Sequence, residues 1–365
     1  MAELLHIAQQ ASERVGVDRR VVARRSSFLG VAVMGLCLSG TGQYVSHYGA
    51  QDLVVDTLPE ILPEEPPLGL DVDAALLVVR PDPDGAWLAL GRQLFFDPVL
   101  SSDRSVACAS CHQPGHGFAD PRPLSLGVQG RVTLRHAPAL LNRALGKTFM
   151  WDGRAASLEE QVLQPIVNPL EMDLSLEDAL ARLASDEGYT ALFKSLTGGP
   201  PTEVDLSRAL ATFVRHLWHA GSAVDRFRSG DVSVLSREEK SGMWIYESRG
   251  GCWRCHGGAN FTDEAFHNTG IGVRNGVPLP GRMGVTGSEQ DRGAFKTPTL
   301  RGLTLTGPYM HDGSMTSLEE VISFYRRGGE PNPDLDDNLR PLELTDQDVT
   351  NLAAFLRALS RVDGE

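Results

Sequence analysis

The sequence predicts a mainly α fold in two similar halves, and three observations carry that expectation. A Cys-x-x-Cys-His motif occurs twice, as Cys108-Ala-Ser-Cys111-His112 and Cys252-Trp-Arg-Cys255-His256. Longer segments also recur. Asp152-Gly153-Arg-Ala-Ala-Ser157-Leu158-Glu159-Glu160 matches Asp312-Gly313-Ser-Met-Thr-Ser317-Leu318-Glu319-Glu320, and Ala137-Pro138-Ala-Leu140 matches Thr297-Pro298-Thr-Leu300, both at one constant offset. Self-similarity of this kind indicates an internal duplication. Finally, apolar residues recur with helical spacing, and no strong alternating strand run appears.

In chain order, residues 1–42 read as an export signal or N-terminal anchor. Arg14, Arg19, Arg20, Arg24 and Arg25 precede an apolar run from Phe28 to Leu38, and Ser39, Gly40, Thr41 and Gly42 follow. That is the charged, apolar, small-residue order of an export signal. The run is short for a membrane span. Either outcome, cleaved and soluble or anchored, places the chain in the periplasm. Residues 43–85 read as an acidic, Pro-rich linker, with Leu58-Pro-Glu-Ile-Leu-Pro-Glu-Glu-Pro-Pro at its centre. The folded part should start near Trp87. Helices are expected at Ala86–Phe96, Leu176–Leu183, Val204–Ser222, Glu238–Glu247 and Asp346–Leu359. Each Ser-Leu-Glu-Glu is a capping box, which starts further helices at Ser157 and Ser317. The expected division is 86–225 for the first domain and 226–365 for the second.

Two cysteines three apart, followed at once by histidine, form the attachment signature of c-type haem. The cysteines bond to the porphyrin edge, and the histidine becomes the proximal iron ligand. Two copies imply two covalently bound haem c groups, on Cys108, Cys111 and His112 and on Cys252, Cys255 and His256. The alternative is zinc held by the two Cys-x-x-Cys pairs together, but zinc does not need the histidine that follows both times. The fifth cysteine, Cys37, lies in the apolar N-terminal run. Covalent haem attachment agrees with export, because in bacteria it takes place outside the cytoplasm.

The chain has 365 residues, enough for two domains and a tail, and 41% of them are hydrophobic. A formal net charge of −13 disfavours nucleic acid and suits a cationic partner such as a small basic electron-transfer protein.

The repeat also bears on the iron ligands. Position 325 is tyrosine, and its counterpart at the repeat offset is Pro165. A tyrosine oxygen can bind ferric haem; proline has nothing to offer. If this position overlies the distal face in both halves, Tyr325 closes the second haem and the first stays open opposite His112. One catalytic and one electron-transfer haem follow. Met310 and Met315 are rival ligands, and Tyr325 in the helical core is the bland alternative. His116, His216 and His219 read as non-ligands, and His311 as a contact for a haem propionate.

Together these residues resemble the bacterial di-haem cytochrome c peroxidase family, and within it the MauG type. The resemblance rests on Leu90-Gly-Arg-Gln-Leu-Phe-Phe-Asp-Pro, both haem motifs, Phe149-Met-Trp151-Asp-Gly-Arg, Asn168-Pro-Leu-Glu171-Met and Pro308-Tyr-Met-His311-Asp-Gly. It implies two cytochrome c-like haem domains facing a shared interface. It further implies Trp151 as the relay between the haems, Gln161 and Glu171 in the distal pocket of the first haem, and Tyr325 as ligand to the second. Thr306 and Pro308 match positions whose backbone carbonyls hold an interhaem calcium. There are two departures. Val128 stands in the loop where reductively activated members carry a capping histidine, so the first haem should be ready without prior reduction. His136 replaces the calcium asparagine, and imidazole suits calcium poorly.

The implied reaction is reduction of hydrogen peroxide at the N-terminal haem, with Glu171 as general base then acid and Gln161 positioning the peroxide. Electrons would come through the C-terminal haem from a small donor protein, a cytochrome c or a cupredoxin. Two alternatives stay open: a maturation enzyme that oxidises Trp or Tyr side chains of a protein substrate, and a non-catalytic di-haem electron carrier or redox sensor. A homodimer is compatible with any of them.

Overall fold

The computed structural model describes residues 68–70, 82 and 85–362. The export segment, Cys37 and most of the linker lie outside the described residues. No described helix is long and apolar enough to cross a membrane. The architecture is mainly helical, with short helices and turns joined by long loops. The β content is small: Phe266–His267 pairs antiparallel with Phe295–Lys296, with Phe266 opposite Lys296.

Buried apolar side chains form two clusters, one drawn from residues 87–217 and the other from 223–359. Each is centred on a pair of crossed helices. In the first, Ala86–Phe96 buries Trp87, Leu90, Gly91, Leu94 and Phe95, a stripe at helical spacing, and packs on Glu203–Arg215. A β-carbon on Gly91 would stand 1.9 Å from the Ala209 carbonyl oxygen. Only glycine allows the two backbones to approach so closely. The second cluster repeats this arrangement with Arg237–Glu247 across Asp346–Ala358. There a β-carbon on Gly242 would stand 2.0 Å from the Asn351 carbonyl oxygen. An aromatic pair sits one turn on from each glycine. Phe95 and Phe213 have ring centroids 4.8 Å apart, and Tyr246 and Phe355 5.0 Å, both pairs tilted near 50°.

Most of the expected helices are present within a residue or two, including Leu176–Ser185 and Leu318–Arg326, the latter with a full capping box on Ser317. Three expectations need correction. The helix expected to run from Val204 to Ser222 ends at Arg215, and Ser222 instead caps a separate short helix, Ala223–Arg228. Hydrogen bonds from Asn142 to the Leu217 and His219 carbonyls draw the intervening chain out of helical form. His216 is therefore a helix cap and His219 lies beyond the helix, so they do not share a helical face. At Ser157 the box is half made: the Ser157 hydroxyl accepts the Glu160 N–H, but the Glu160 carboxylate takes the N–H of Ala156. Finally, part of the expected linker is seated on the folded body. The Leu68 carbonyl accepts Gly221 N–H at 2.9 Å, and the Gly69 carbonyl accepts Arg301 Nη2 at 2.8 Å. Arg301 is in turn paired with Asp225, and both side chains are almost wholly buried.

Candidate active site

Both Cys-x-x-Cys-His segments form a single 3-10 turn, Cys108–Ser110 and Cys252–Arg254. The histidine N–H closes each turn on the first cysteine's carbonyl, at 2.9 Å in both. His112 Nδ1 lies 2.9 Å from the Phe118 carbonyl, and His256 Nδ1 lies 3.1 Å from the Phe261 carbonyl. A carbonyl only accepts, so Nδ1 carries the proton and the Nε2 lone pair is left for a metal. That is the second-shell arrangement of a metal-binding imidazole. Burial, the largest influence, lowers both histidines' pKa and favours the neutral form a ligand needs.

The two histidines line one continuous cavity of about 850 Å³. Pro138, Met150, Gln161 and Pro165 from the first half and Leu318, Ile322 and Tyr325 from the second also line it. The cysteines are free thiols, and burial, the first cause, pushes Cys108 up to about 12 and Cys111 up to about 11. The two Cys-x-x-Cys pairs do not converge. Among the described residues, the group close enough to share an ion is Cys255, Asp263 and His267, which holds only one of the four cysteines. The zinc reading therefore lacks its ligand set. The cavity, the two imidazoles and the half-buried thiols fit haem.

Tyr325, in the helix Leu318–Arg326, makes no side-chain hydrogen bond to the described residues. Burial, then Cys255 and Cys252, push its hydroxyl well above the usual phenol range. A phenol held without a partner is suited to meet a cation. Met310 also lines the cavity; Met315 does not, and it pairs through its backbone with Tyr309 instead.

Glu171 sits beside the first motif rather than on the cavity wall. Its field adds to the upward shift of Cys108 and Cys111. Burial raises its own pKa, opposed by a hydrogen bond of 2.6 Å from Asn168 Nδ2. The carbonyl of Glu171 accepts Val128 N–H at 2.8 Å, which brings the Val128 loop against it, with Val128 fully buried. Gln161 Nε2 is 4.0 Å from Met150 Sδ.

Trp151 stands where the two halves meet. Its indole N–H donates to the His136 carbonyl at 2.8 Å. Its own carbonyl accepts Lys296 N–H at 2.8 Å, while the His311 carbonyl accepts His136 N–H at 2.9 Å. These last two bonds are reciprocal, because positions 136 and 296, like 151 and 311, are counterparts in the repeat. His311 stacks on Phe295 at 3.7 Å and meets Trp151 edge-on at 6.3 Å. Its Nε2 lies 3.3 Å from the Ile271 carbonyl, and burial lowers its pKa to about 4. Thr306 and Pro308 line the same cavity. His136 Nδ1 is 3.2 Å from the carbonyls of both Arg122 and Pro123. His116 is half-buried, away from the cavity wall.

Comparison with known proteins decides the family. The chain is 41% identical over 275 residues to the methylamine utilization protein MauG of Methylorubrum extorquens, covering 74% of this chain and 77% of that protein. It belongs to the di-haem cytochrome c peroxidase family. The profile described as di-haem cytochrome c peroxidase matches residues 86–233. Identity to the cytochrome c551 peroxidase of Nitrosomonas europaea is 35% over 285 residues, covering 76% of this chain and 81% of that one. Among solved structures, a MauG-like protein associated with microbial copper homeostasis superposes with a TM-score of 0.72 at 30% identity, covering 82% of this chain and 95% of that one. This di-haem peroxidase chain is thus a MauG-like oxidoreductase with the helical fold of its family, and the family implies two haems.

Sequence reasoning missed several groups at the junction. Arg143, Glu264 and Lys296 form a buried charged cluster. His267 is clasped between Asp263 at 3.0 Å and Asp336 at 2.6 Å. Contact with Cys255 is the largest influence in raising His267 to about 10, followed among the raising influences by Asp336 and Asp263. Lys296 had a signal in the sequence, being the repeat counterpart of His136.

Proposed function

We propose that the chain is an exported di-haem c-type peroxidase, with hydrogen peroxide reduced on the His112 side and electrons supplied through the His256 side. The observation that carries this is a difference between repeat counterparts on one cavity: Pro165 has no ligating atom, whereas Tyr325 brings a phenol with no hydrogen-bond partner among the described residues, and both line the cavity that His112 and His256 line. When bound, haem would supply peroxide activation on the first side and electron storage on the second.

Cys108 and Cys111 would attach the first haem and Cys252 and Cys255 the second. His112 and His256 offer Nε2 in the neutral state. Tyr325 would lose its proton to solvent and, as a phenolate, would hold a ferric centre as a hard anionic ligand. Glu171, with its proton affinity raised by burial and set back from the cavity wall, is suited to exchange a proton with peroxide through one intervening water. Asn168 holds one carboxylate oxygen and so fixes the direction of the other. Gln161 would orient the peroxide from the cavity wall. Val128 offers no ligand near Glu171, which favours a first side open at rest. Trp151 is bonded to the second half through its carbonyl, which accepts Lys296 N–H, and to the first through its indole N–H on the His136 carbonyl, a route for an electron or hole. The reciprocal bonds His136 to His311 and Lys296 to Trp151 support two cytochrome c-like domains, 86–225 and 226–365, related by duplication. Calcium has poor support here, since the residue in the asparagine position brings nitrogen rather than oxygen.

A second reading is oxidation of Trp or Tyr side chains on a partner protein. It is favoured by Tyr325 together with the 41% identity to a MauG protein. Low-temperature EPR of the diferric protein tests the common core of both readings. One high-spin and one low-spin signal is the expected result. Two low-spin signals would mean a closed first side and would defeat the proposal.

A further inference from the structure

Two buried cations share one carboxylate at the wall of the cavity. Arg143, from the first half, forms a two-armed pair with Glu264, from the second, at 2.8 and 3.2 Å. The Lys296 ammonium lies 3.6 Å from the same Glu264 oxygen, with its side chain only 9% exposed. At that distance it feels the charge but makes no hydrogen bond. Glu264 is already occupied, since it also accepts Lys147 N–H. Asp263, the next acid, is bonded to His267. Arg143 and Lys296 thus bring two cationic groups to one carboxylate out of water, and a buried unpaired charge is costly: burial, then the Arg143 charge, lowers the Lys296 pKa to about 7. Arg143 and Lys296 both line the cavity. Lys296 is held in register opposite Phe266, and its N–H is tied to the Trp151 carbonyl.

We infer that Arg143 and Lys296 form a carboxylate seat, and that its occupant is a haem propionate at the junction of the two halves. This rests on the two-haem reading above. A haem carries its carboxylates on its edge, and Arg143 and Lys296 line the same cavity as both histidines. The propionate completes the charge balance that Glu264 leaves open. Lys296 is then a positioning residue that raises the potential of the haem it touches, because a nearby cation disfavours the ferric state.

The test uses the full-length holoprotein and the variants Lys296→Met and Lys296→Arg. Haem is counted by pyridine haemochrome, and both midpoint potentials are read by optical redox titration at fixed pH. In Lys296→Met one midpoint should fall, with the ferric–ferrous equilibrium constant changing threefold or more, or about 28 mV at 59 mV per tenfold for one electron. Lys296→Arg should restore it. If the Met variant does not mature, Lys296→Gln carries the same reading, since it keeps donors but no charge. Two haems per chain with unchanged midpoints in the uncharged variant would overturn the seat. A wild-type midpoint that moves with added acetate would also overturn it, because the seat would then take a free carboxylate. Wild-type protein without c-type haem would instead defeat the two-haem reading itself.

Discussion

The two halves of this molecule share a frame and differ in what faces the cavity. Each has a helix pair drawn together by one glycine, Gly91 or Gly242, with an aromatic pair one turn further on. Each has a Cys-x-x-Cys-His turn whose histidine is oriented by a carbonyl. Each also closes a loop with the same bridge, Phe149 to Ala155 and Tyr309 to Met315. The differences are few. Pro165 answers Tyr325, and a half-buried glutamate, Glu171, stands beside the first motif where its repeat counterpart is Pro331. Tyr246 donates its hydroxyl to the His256 carbonyl, whereas Phe95, at the matching place, has none. A frame that only holds a cofactor can be copied unchanged; reactivity then depends on the few side chains that reach the open face.

Glu171→Gln strikes at that difference hardest. Peroxide consumption, followed by stopped flow, should slow by about 10²–10⁴, the usual worth of a positioned acid–base group. The pH profile sharpens the same point. Glu171 works as a base only when ionised, and burial raises its pKa. The rate should therefore fall as pH drops through a value above the free glutamate's ~4.3, and that limb should vanish in the Gln variant. The stability sign follows from the same shift. The folded chain binds the proton more tightly, so this residue's contribution to stability declines as pH rises from the ordinary value through the raised one.

Tyr325→Phe should make the halves more alike. Reduced wild-type protein should bind carbon monoxide on the first side only, and the variant on both, read by optical titration. An unchanged stoichiometry would remove Tyr325 as a ligand. Gly242→Ala attacks the shared frame instead. Its β-carbon would collide with the Asn351 carbonyl, and overpacking of this kind costs about 1–3 kcal/mol. Thermal unfolding should show a loss of that size, and Gly91→Ala should match it. The smallest effect belongs to Trp151→Phe, which removes the hydrogen bond to the His136 carbonyl, worth about 1 kcal/mol. It should slow electron exchange between the halves in flash-photolysis traces without closing the first side to carbon monoxide.

Much of the fold was legible because it is local. Ser317 and Glu320 cap a helix through neighbours in the chain, and the Trp87-to-Phe95 stripe has helical spacing whatever it packs against. The Val204 helix ran too long in the sequence reading because its stop is not local: Asn142, far earlier in the chain, takes the backbone at Leu217 and His219. Glu264 has no signature for the same reason, since a buried cluster exists only once its members meet, whereas Lys296 had one as the repeat counterpart of His136.

The amino-acid order by itself determined the two Cys-x-x-Cys-His motifs, the constant offset of the repeat and the contrast of Pro165 with Tyr325. These depend on covalent spacing and residue chemistry, which survive in a linear string. Only the tertiary structure decided that both histidines face one cavity, that Met315 does not, and that Trp151 is bonded on both sides of the junction. It also decided that Arg143 and Lys296 compete for one carboxylate. Such facts rest on distance and burial, and these arise only when segments far apart in the chain are packed together.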